Sequence, residues 1–380
     1  MDEEVLLVSL VSDQTIPNVQ LINELKAEGY NYLFISTSGM EKKGVRQWII
    51  NSTGLPSDKV LPEIIVDQFS FEDTENKLNS FDFDQYEKVV VNLTGGTKVM
   101  TLAAYNFFQQ IGAEIFYLTG SDDELIRLAP KRKKRVSILT SKINVIQYLT
   151  AYGFTVGETE PSGIDSDYTN TYFNLFANGQ LIQYNSVIDK LRNFRKKNCK
   201  LDRIEGLSEF ISKINFPHKE NGKLLPIEVK YLTGEWFEEY VSQKLKMELN
   251  LTDDEIKTGL VISKKNRKGE LIPNEMDVIF IWKNKIHTIE CKTSVFYQVE
   301  VDGKLKNKNI LSETLYKSDS LRQGFGLYVN TSIFILDLIE ESNHLLKEPL
   351  ERADLYNIKI VDKKQLLDSS SIKSILRITF

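Results

Sequence analysis

Hydrophobic positions fall in two different rhythms along the chain. In the first third, short apolar runs alternate with amphipathic stretches. Residues 5–11, VLLVSLV, form a nearly unbroken apolar run, the pattern of a strand buried on both faces. Polar Ser12-Asp13-Gln14-Thr15 follows, and Pro17 then opens a helix carrying Val19, Leu21, Ile22 and Leu25 that Gly29 ends. Residues 32–37 read as a second strand, 45–50 as the opening of a helix and 63–69 as a further strand. The buried strand at 88–93 runs into Thr94-Gly95-Gly96-Thr97-Lys98, followed by a helix over 99–110 and a strand over 114–118. This alternation predicts a Rossmann-like parallel sheet with crossover helices.

The rhythm changes further on. Residues 141–225 read as a connector, with helical stretches at 143–151 and 188–196 flanking a polar segment at 157–170. From about 226 the pattern predicts a helix over 234–249, strands over 257–263, 275–282 and 285–293, a helix over 311–323 and a strand over 332–338. Lys283-Asn284-Lys285 suits the turn of a hairpin. Three parts are expected: an α/β unit over 1–140, the connector over 141–225 and a second α/β unit over 226–380.

A length of 380 residues agrees with more than one core. A net charge of −5 argues against a general nucleic-acid coat protein but leaves room for a local basic groove. The run Lys131-Arg132-Lys133-Lys134-Arg135 reads as a solvated surface stretch. Cys199 and Cys291 are too few for a disulfide framework, and His218, His287 and His344 lack zinc-ligand spacing. No stretch reaches the apolar length of a membrane span, so a soluble, cytoplasmic protein is expected.

The densest chemistry lies in the second unit. Asp277 stands near the start of one predicted strand, and Glu290 and Lys292 alternate along the next, sharing one face while Ile289 and Cys291 take the other. A hairpin brings Asp277 beside them. Two carboxylates on one edge can hold Mg²⁺ or Mn²⁺, which activates water and offsets charge on a phosphate. Lys292 can then orient or deprotonate that water, with burial and a nearby cation lowering its pKa. The order helix, three strands, helix, strand, carrying Asp277, Glu290 and Lys292, resembles the restriction-endonuclease-like fold. That resemblance implies a further glutamate from the first helix, where Gly234-Glu235-Trp236-Phe237-Glu238-Glu239 matches the glycine–glutamate pattern. Glu238 is the choice, with Glu235 and Glu239 as alternatives. Met276 stands where that family often has proline.

In the first unit, the loop over 94–98 joins a buried strand to a helix. Its glycines permit a tight turn and close approach of a ligand, and free amides at the helix start favour an anionic or polar group. The Walker A spacing is absent. Residues 10–18, LVSDQTIPN, together with residues 93–100, LTGGTKVM, resemble a CARF domain, the Rossmann-fold sensor of CRISPR systems. The combination with the second unit resembles the standalone CARF–nuclease effectors of type III CRISPR defence. The resemblance implies a homodimer that binds a cyclic oligoadenylate, cyclic tetra-adenylate above all, and cuts single-stranded DNA or RNA with nicking of duplex DNA. It also implies ligand contacts from Ser12, Gln14 and Thr15, from Thr37, Ser38 and Met40, and from Thr94, Gly95, Gly96, Thr97 and Lys98.

Lys264, Lys265, Arg267 and Lys268 near a strand end, and Lys317 and Arg322 on the later helix, are candidate phosphate contacts. Two other function classes compete: a ligand-responsive DNA-binding transcription regulator, and a repair nuclease not gated by a ligand. Cleavage with and without a cyclic oligoadenylate separates all three.

Overall fold

The computed structural model describes residues 4–26, 29–119, 123–132, 136–157, 163–266, 268–301, 304–339, 343–368 and 371–378. Strand β1 (Val5–Leu10) is buried at all six positions. Leu6, Val8 and Leu10 pack to one side, and Val5 and Leu7 to the other. Strand alternation puts apolar residues on both faces, which explains the continuous run. β2 (Tyr30–Ser36), β3 (Ile64–Ile65), β4 (Lys88–Asn92) and β5 (Glu114–Leu118) join it in parallel, in the order β3-β2-β1-β4-β5. Helices α1 (Ile16–Leu25) and α3 (Val45–Thr53) cover one face, with short α2 (Ser38–Lys43) between them in sequence. Helices α4 (Phe71–Asn79) and α5 (Lys98–Gln110) cover the other.

The Rossmann-like arrangement therefore stands, with two corrections. β6 (Glu124–Ala129) and β7 (Val136–Ile138) extend the β5 edge antiparallel, so the sheet is mixed. The strand expected over 63–69 shrinks to β3, because the chain leaves the sheet after Val66 so that Ser70 can cap α4. Of the basic run, Lys131 is exposed and Arg132 pairs loosely with Glu114 at 3.6 Å; residues 133–135 lie outside the described residues.

The stretch read as a connector folds extensively. α6 (Val145–Ala151) starts at a capping box of Asn144 and Gln147 and packs on the first unit. β8 (Thr155–Val156) adds to the edge of the second sheet. α7 (Ser166–Ala177), α8 (Asn185–Leu191), β9 (Cys199–Lys200), α9 (Leu207–Lys213), β10 (Lys223–Leu224) and α10 (Pro226–Lys230) follow. Their apolar residues, among them Tyr172, Leu191 and Phe210, merge with the core under the second sheet.

That second sheet has six strands. α11 (Trp236–Leu249) precedes an antiparallel meander of β11 (Ile256–Lys265), β12 (Leu271–Trp282) and β13 (Lys285–Lys292). A separate hairpin, β14 (Phe296–Val301) and β15 (Lys304–Asn309), comes next and was not expected from the sequence. α12 (Leu311–Arg322) leads into β16 (Val329–Ile335), which lies parallel to β13. α13 (His344–Leu355) leads into β17 (Lys359–Val361), parallel to β16, and α14 (Lys363–Asp368) and α15 (Ile372–Leu376) follow. Phe237, Val241 and Leu245 of α11 pack under Val278, Phe280, Ile289 and Cys291. Leu311 and Leu315 of α12 pack with Ile333 and Ile335. The helix expected from residue 234 begins at Trp236, because a π-turn over Tyr231–Glu235 with a non-helical Gly234 joins it to α10.

The two units share one core. Val19, Ile22 and Ile49 of the first, Tyr148 and Leu149 of α6, and Leu260, Ile262, Ile279 and Ile281 of the second sheet form a single apolar cluster. Among the described residues, no helix is long and apolar enough to cross a membrane.

Candidate active site and ligand-binding edge

The β12–β13 hairpin sets the geometry of the second unit's polar cluster. Its two-residue turn uses Lys283 and Asn284, both with positive φ (47° and 54°), the requirement of a type I′ turn. This fixes the register that brings Asp277 to Glu290 and Lys292. Asp277 is the seventh residue of a twelve-residue strand, well inside it rather than near its start, because β12 extends back to Leu271. Lys292 Nζ lies 3.0 Å from Asp277 Oδ2, 2.8 Å from Glu290 Oε1 and 3.3 Å from the Cys291 carbonyl. Asp277 Oδ2 also accepts from the Cys291 N–H at 2.7 Å. Lys317 Nζ of α12 donates to Glu290 Oε1 at 3.1 Å and to the Glu275 carbonyl at 3.3 Å.

Both carboxylates are buried. Burial, and then Glu290 beside it, push Asp277 up to about 6, against the pull of Lys292 and the Cys291 N–H. Glu238 on α11 stands well above the usual carboxylate range, through burial first and then the charges of Asp277 and Glu235. Of the three glutamates considered, it is the one within electrostatic reach of Asp277 and Lys292, whereas Glu239 accepts from Thr169. Burial lowers the Lys292 pKa, but Asp277 and Glu290 outweigh it and hold the ammonium above its ordinary value. The cause is direct pairing with two carboxylates, whereas the sequence expectation of a lowered lysine included a nearby cation.

This cluster fits a hard divalent cation. Three oxygens, from Asp277, Glu290 and the Cys291 carbonyl, converge on one positive atom, and burial beside Glu290 raises the Asp277 pKa, which a bound cation would lower. Among the described residues no three His, Cys, Asp or Glu side chains gather as a metal cluster. Two carboxylates and a carbonyl are the groups that would hold such a cation, one that keeps several waters.

The other candidate phosphate contacts divide. Arg322 pairs within its own helix to Asp319. Lys264 Nζ sits 4.6 Å over the Phe154 ring and 5.5 Å over Trp48, and reaches the Gly324 carbonyl. Lys265 and Lys268 are exposed, and Arg267 lies outside the described residues.

In the first unit, strand order puts the loops after β1, β2 and β4 side by side at the C-terminal edge, where such sheets bind ligands. All eleven residues expected to contact a ligand lie there. A Cβ on Gly95 would come 2.1 Å from the Leu10 carbonyl oxygen and 3.4 Å from Ser12 Oγ, so glycine permits the loops to touch. Gly96 has φ +80°. Beneath them, Asn18 Nδ2 donates to the Leu10 carbonyl, and Asn92 Nδ2 donates to Asn18 Oδ1 and the Pro17 carbonyl. Neither asparagine was a sequence candidate; for Asn92 the signal was a polar residue closing an otherwise apolar strand.

Several expected contacts are engaged in shaping the loops. Thr94 Oγ1 accepts from Leu118 N at 2.8 Å, Thr97 Oγ1 donates to the Gln68 carbonyl at 2.7 Å, and Thr37 caps α2 through Met40 N. Ser12 Oγ donates to the Gln14 carbonyl, and the buried Thr15 opens α1 with its carbonyl. Ser38 is exposed and Met40 half-buried. Lys98 is exposed at the start of α5.

Residues 6–148 match the Card1 CARF domain, and residues 227–377 match the Card1-like endonuclease domain. The chain is a CARF-linked nuclease of the Card1 type. Solved structures of the same fold include Can2 from Sulfobacillus thermosulfidooxidans in complex with cyclic tetra-adenylate, at 21% identity and a TM-score of 0.70, covering 96% of this chain and 97% of that one. Protein VC1899 from Vibrio cholerae aligns at 18% identity and a TM-score of 0.73, covering 96% of each. A type III CRISPR defence DNA nuclease activated by cyclic oligoadenylate aligns at 15% identity and a TM-score of 0.52, over 93% of this chain and 52% of that one. No curated protein matches the sequence.

In this Card1-type chain the CARF edge touches the endonuclease half directly. Gln14 Oε1 accepts from Leu327 N at 3.0 Å and from the Tyr152 hydroxyl at 3.2 Å. Asn284, at the tip of the β12–β13 hairpin, accepts from Ile143 N at 3.0 Å and donates to Asp123 at 2.9 Å, which also receives Gln20 of α1.

Proposed function

We propose that this Card1-type protein is a metal-dependent endonuclease switched on by a cyclic oligoadenylate, cyclic tetra-adenylate by preference, in type III CRISPR antiviral defence. It acts as a cytoplasmic homodimer and cuts single-stranded DNA or RNA, with nicking of duplex DNA. Residues 1–140 serve as sensor, 141–225 as connector and 226–380 as nuclease. The observation that carries the reading is the convergence of Asp277, Glu290 and the Cys291 carbonyl on Lys292 Nζ.

Asp277 and Glu290 hold Mg²⁺ or Mn²⁺, with Glu238 behind them. When bound, the cation lowers the pKa of water and stabilises charge on the scissile phosphate. Lys292 orients the attacking water. Lys317 balances Glu290. For the sensor, an isologous dimer would present two copies of the loop over 94–98 to a two-fold symmetric ring. The complex of Can2 with cyclic tetra-adenylate, in the same fold, supports that choice. The contacts of Gln14 and Asn284 supply a physical route between the two halves.

The test is cleavage of labelled single-stranded DNA and RNA at saturating cyclic tetra-adenylate, with Mg²⁺ or Mn²⁺ and with chelator. Glu290→Ala, Asp277→Ala and Lys292→Ala should abolish cutting while activator binding persists. Undiminished cutting by Glu290→Ala, or in chelator after metal stripping, overturns the assignment.

A further inference from the structure

The connector sends two arginines to the nuclease centre. Arg192, just after α8, donates from Nη2 to Thr293 Oγ1 at 3.1 Å, and Thr293 is the residue that follows Lys292. Its Nε is buried without a hydrogen bond, and its nearest carboxylate, Asp189, stands 3.8 Å away and is mostly exposed. Arg195, one helical turn later, donates from Nε to Thr233 Oγ1 at 2.8 Å and from Nη2 to the Thr233 carbonyl at 3.1 Å. Its Nη1 makes no hydrogen bond among the described residues, and the side chain is solvent-accessible. The glycine at 234 leaves the space this guanidinium occupies, since a Cβ there would come 2.6 Å from Arg195 Nη2. Arg195 feels Arg192 on one side and Glu235, Glu238 and Glu275 on the other. None of those carboxylates hydrogen-bonds it.

Two neighbouring guanidiniums, hydrogen-bonded to neutral hydroxyl and carbonyl oxygens and with only one long, largely exposed ion pair to Asp189, are arranged for an anion that arrives from solution. Planar guanidinium forks match phosphate oxygens. We propose that Arg192 and Arg195 are substrate-binding residues of the nuclease centre, gripping backbone phosphates of the unpaired strand beside Lys292. The inference rests on the nuclease reading above and adds to it that the connector is part of the active site.

The experiment uses full-length protein with cyclic tetra-adenylate. In a Glu290→Ala background, which prevents cutting, anisotropy measures binding of fluorescein-labelled 20-mers of deoxythymidine and of uridine across a salt series. Each phosphate contact on a single strand contributes roughly 0.7 to the slope of log K against log salt, so Arg192→Gln/Arg195→Gln should flatten it by about 1.4 and weaken binding by about tenfold or more. With Glu290 intact, the pair should raise KM for the same oligonucleotides more than it lowers kcat. Arg192→Lys/Arg195→Lys, which keeps the charges, should restore most of the slope but only part of the affinity. A merely structural role would lower Tm and kcat and leave the slope unchanged. An unchanged slope and KM in the glutamine pair, while the parent cuts normally, overturns this proposal alone. A parent that neither binds nor cuts either strand overturns it together with the nuclease reading.

Discussion

Replacing Asn284 should loosen the joint between sensor and nuclease. This residue is 9% exposed and occupies the left-handed region at φ 54°. Its side chain accepts from the Ile143 amide and donates to Asp123. Asn284→Gly keeps the backbone relaxed and removes both bonds. Leaving the buried Ile143 amide unsatisfied costs about 1–3 kcal/mol, and the half-exposed bond to Asp123 contributes about 0.5–1.5 kcal/mol more. Asn284→Ala loses the same bonds and adds roughly 1 kcal/mol of left-handed strain. The expected order of stability is wild type, then glycine, then alanine, with total losses of about 1.5–4.5 and about 2.5–5.5 kcal/mol. Urea unfolding followed by tryptophan fluorescence reads this well, because Trp282 immediately precedes the turn. Since the same hairpin carries Asp277 and Glu290, cleavage at saturating activator should fall while activator affinity stays. Variants within 0.5 kcal/mol of wild type, or a glycine variant less stable than the alanine one, would refute the reasoning.

Two further outcomes follow from the geometry. Gly95→Ala puts a Cβ 2.1 Å from the Leu10 carbonyl oxygen and must push two sensor loops apart, so calorimetry should show about tenfold or greater loss of cyclic tetra-adenylate affinity in a folded protein; affinity within twofold of wild type contradicts it. His287 is buried against Phe280, and burial, then Lys285, push its pKa down to about 4 from 6.5. Below pH 6.5 the unfolded chain binds the proton that the folded one refuses, so stability falls as pH drops from 6.5 to 4, by about 3 kcal/mol from this residue. His287→Phe should remove that part of the acid sensitivity, and identical pH dependence in both proteins would count against it.

The fold was legible where burial left a strong periodic signal. β1 and β4 are buried on both faces, and the hairpin through Lys283-Asn284 joins strands whose partners alternate cleanly. Helix α4 was missed because only Thr74 and Leu78 of its nine residues are buried, so it has almost no apolar stripe. Its Ser70 cap bonding to Asp73 N was the readable sign. Antiparallel β6 and β7 left no mark that sets them apart from a crossover, since register with β5 is a tertiary outcome. The trio Asp277, Glu290 and Lys292 was visible because strand periodicity converts spacing into a shared face. Arg192 and Arg195 were invisible as site residues, since nothing local reveals that a connector helix ends beside Thr293. The turn of Gln14 toward Leu327 spans 313 positions and is equally beyond local pattern.

The most direct test of the whole account is cleavage of a labelled single strand against cyclic tetra-adenylate concentration in Mg²⁺, for wild type and Lys98→Ala side by side. Shifting a mostly inactive population to a mostly active one takes roughly 5.5 kcal/mol of differential binding, which a ring touching both copies of the loop over 94–98 must supply. The account predicts near-zero cutting without activator, full cutting at saturation, and a Lys98→Ala curve displaced to higher activator with little loss at its plateau. Full wild-type cutting without activator, or superimposed curves, would contradict it.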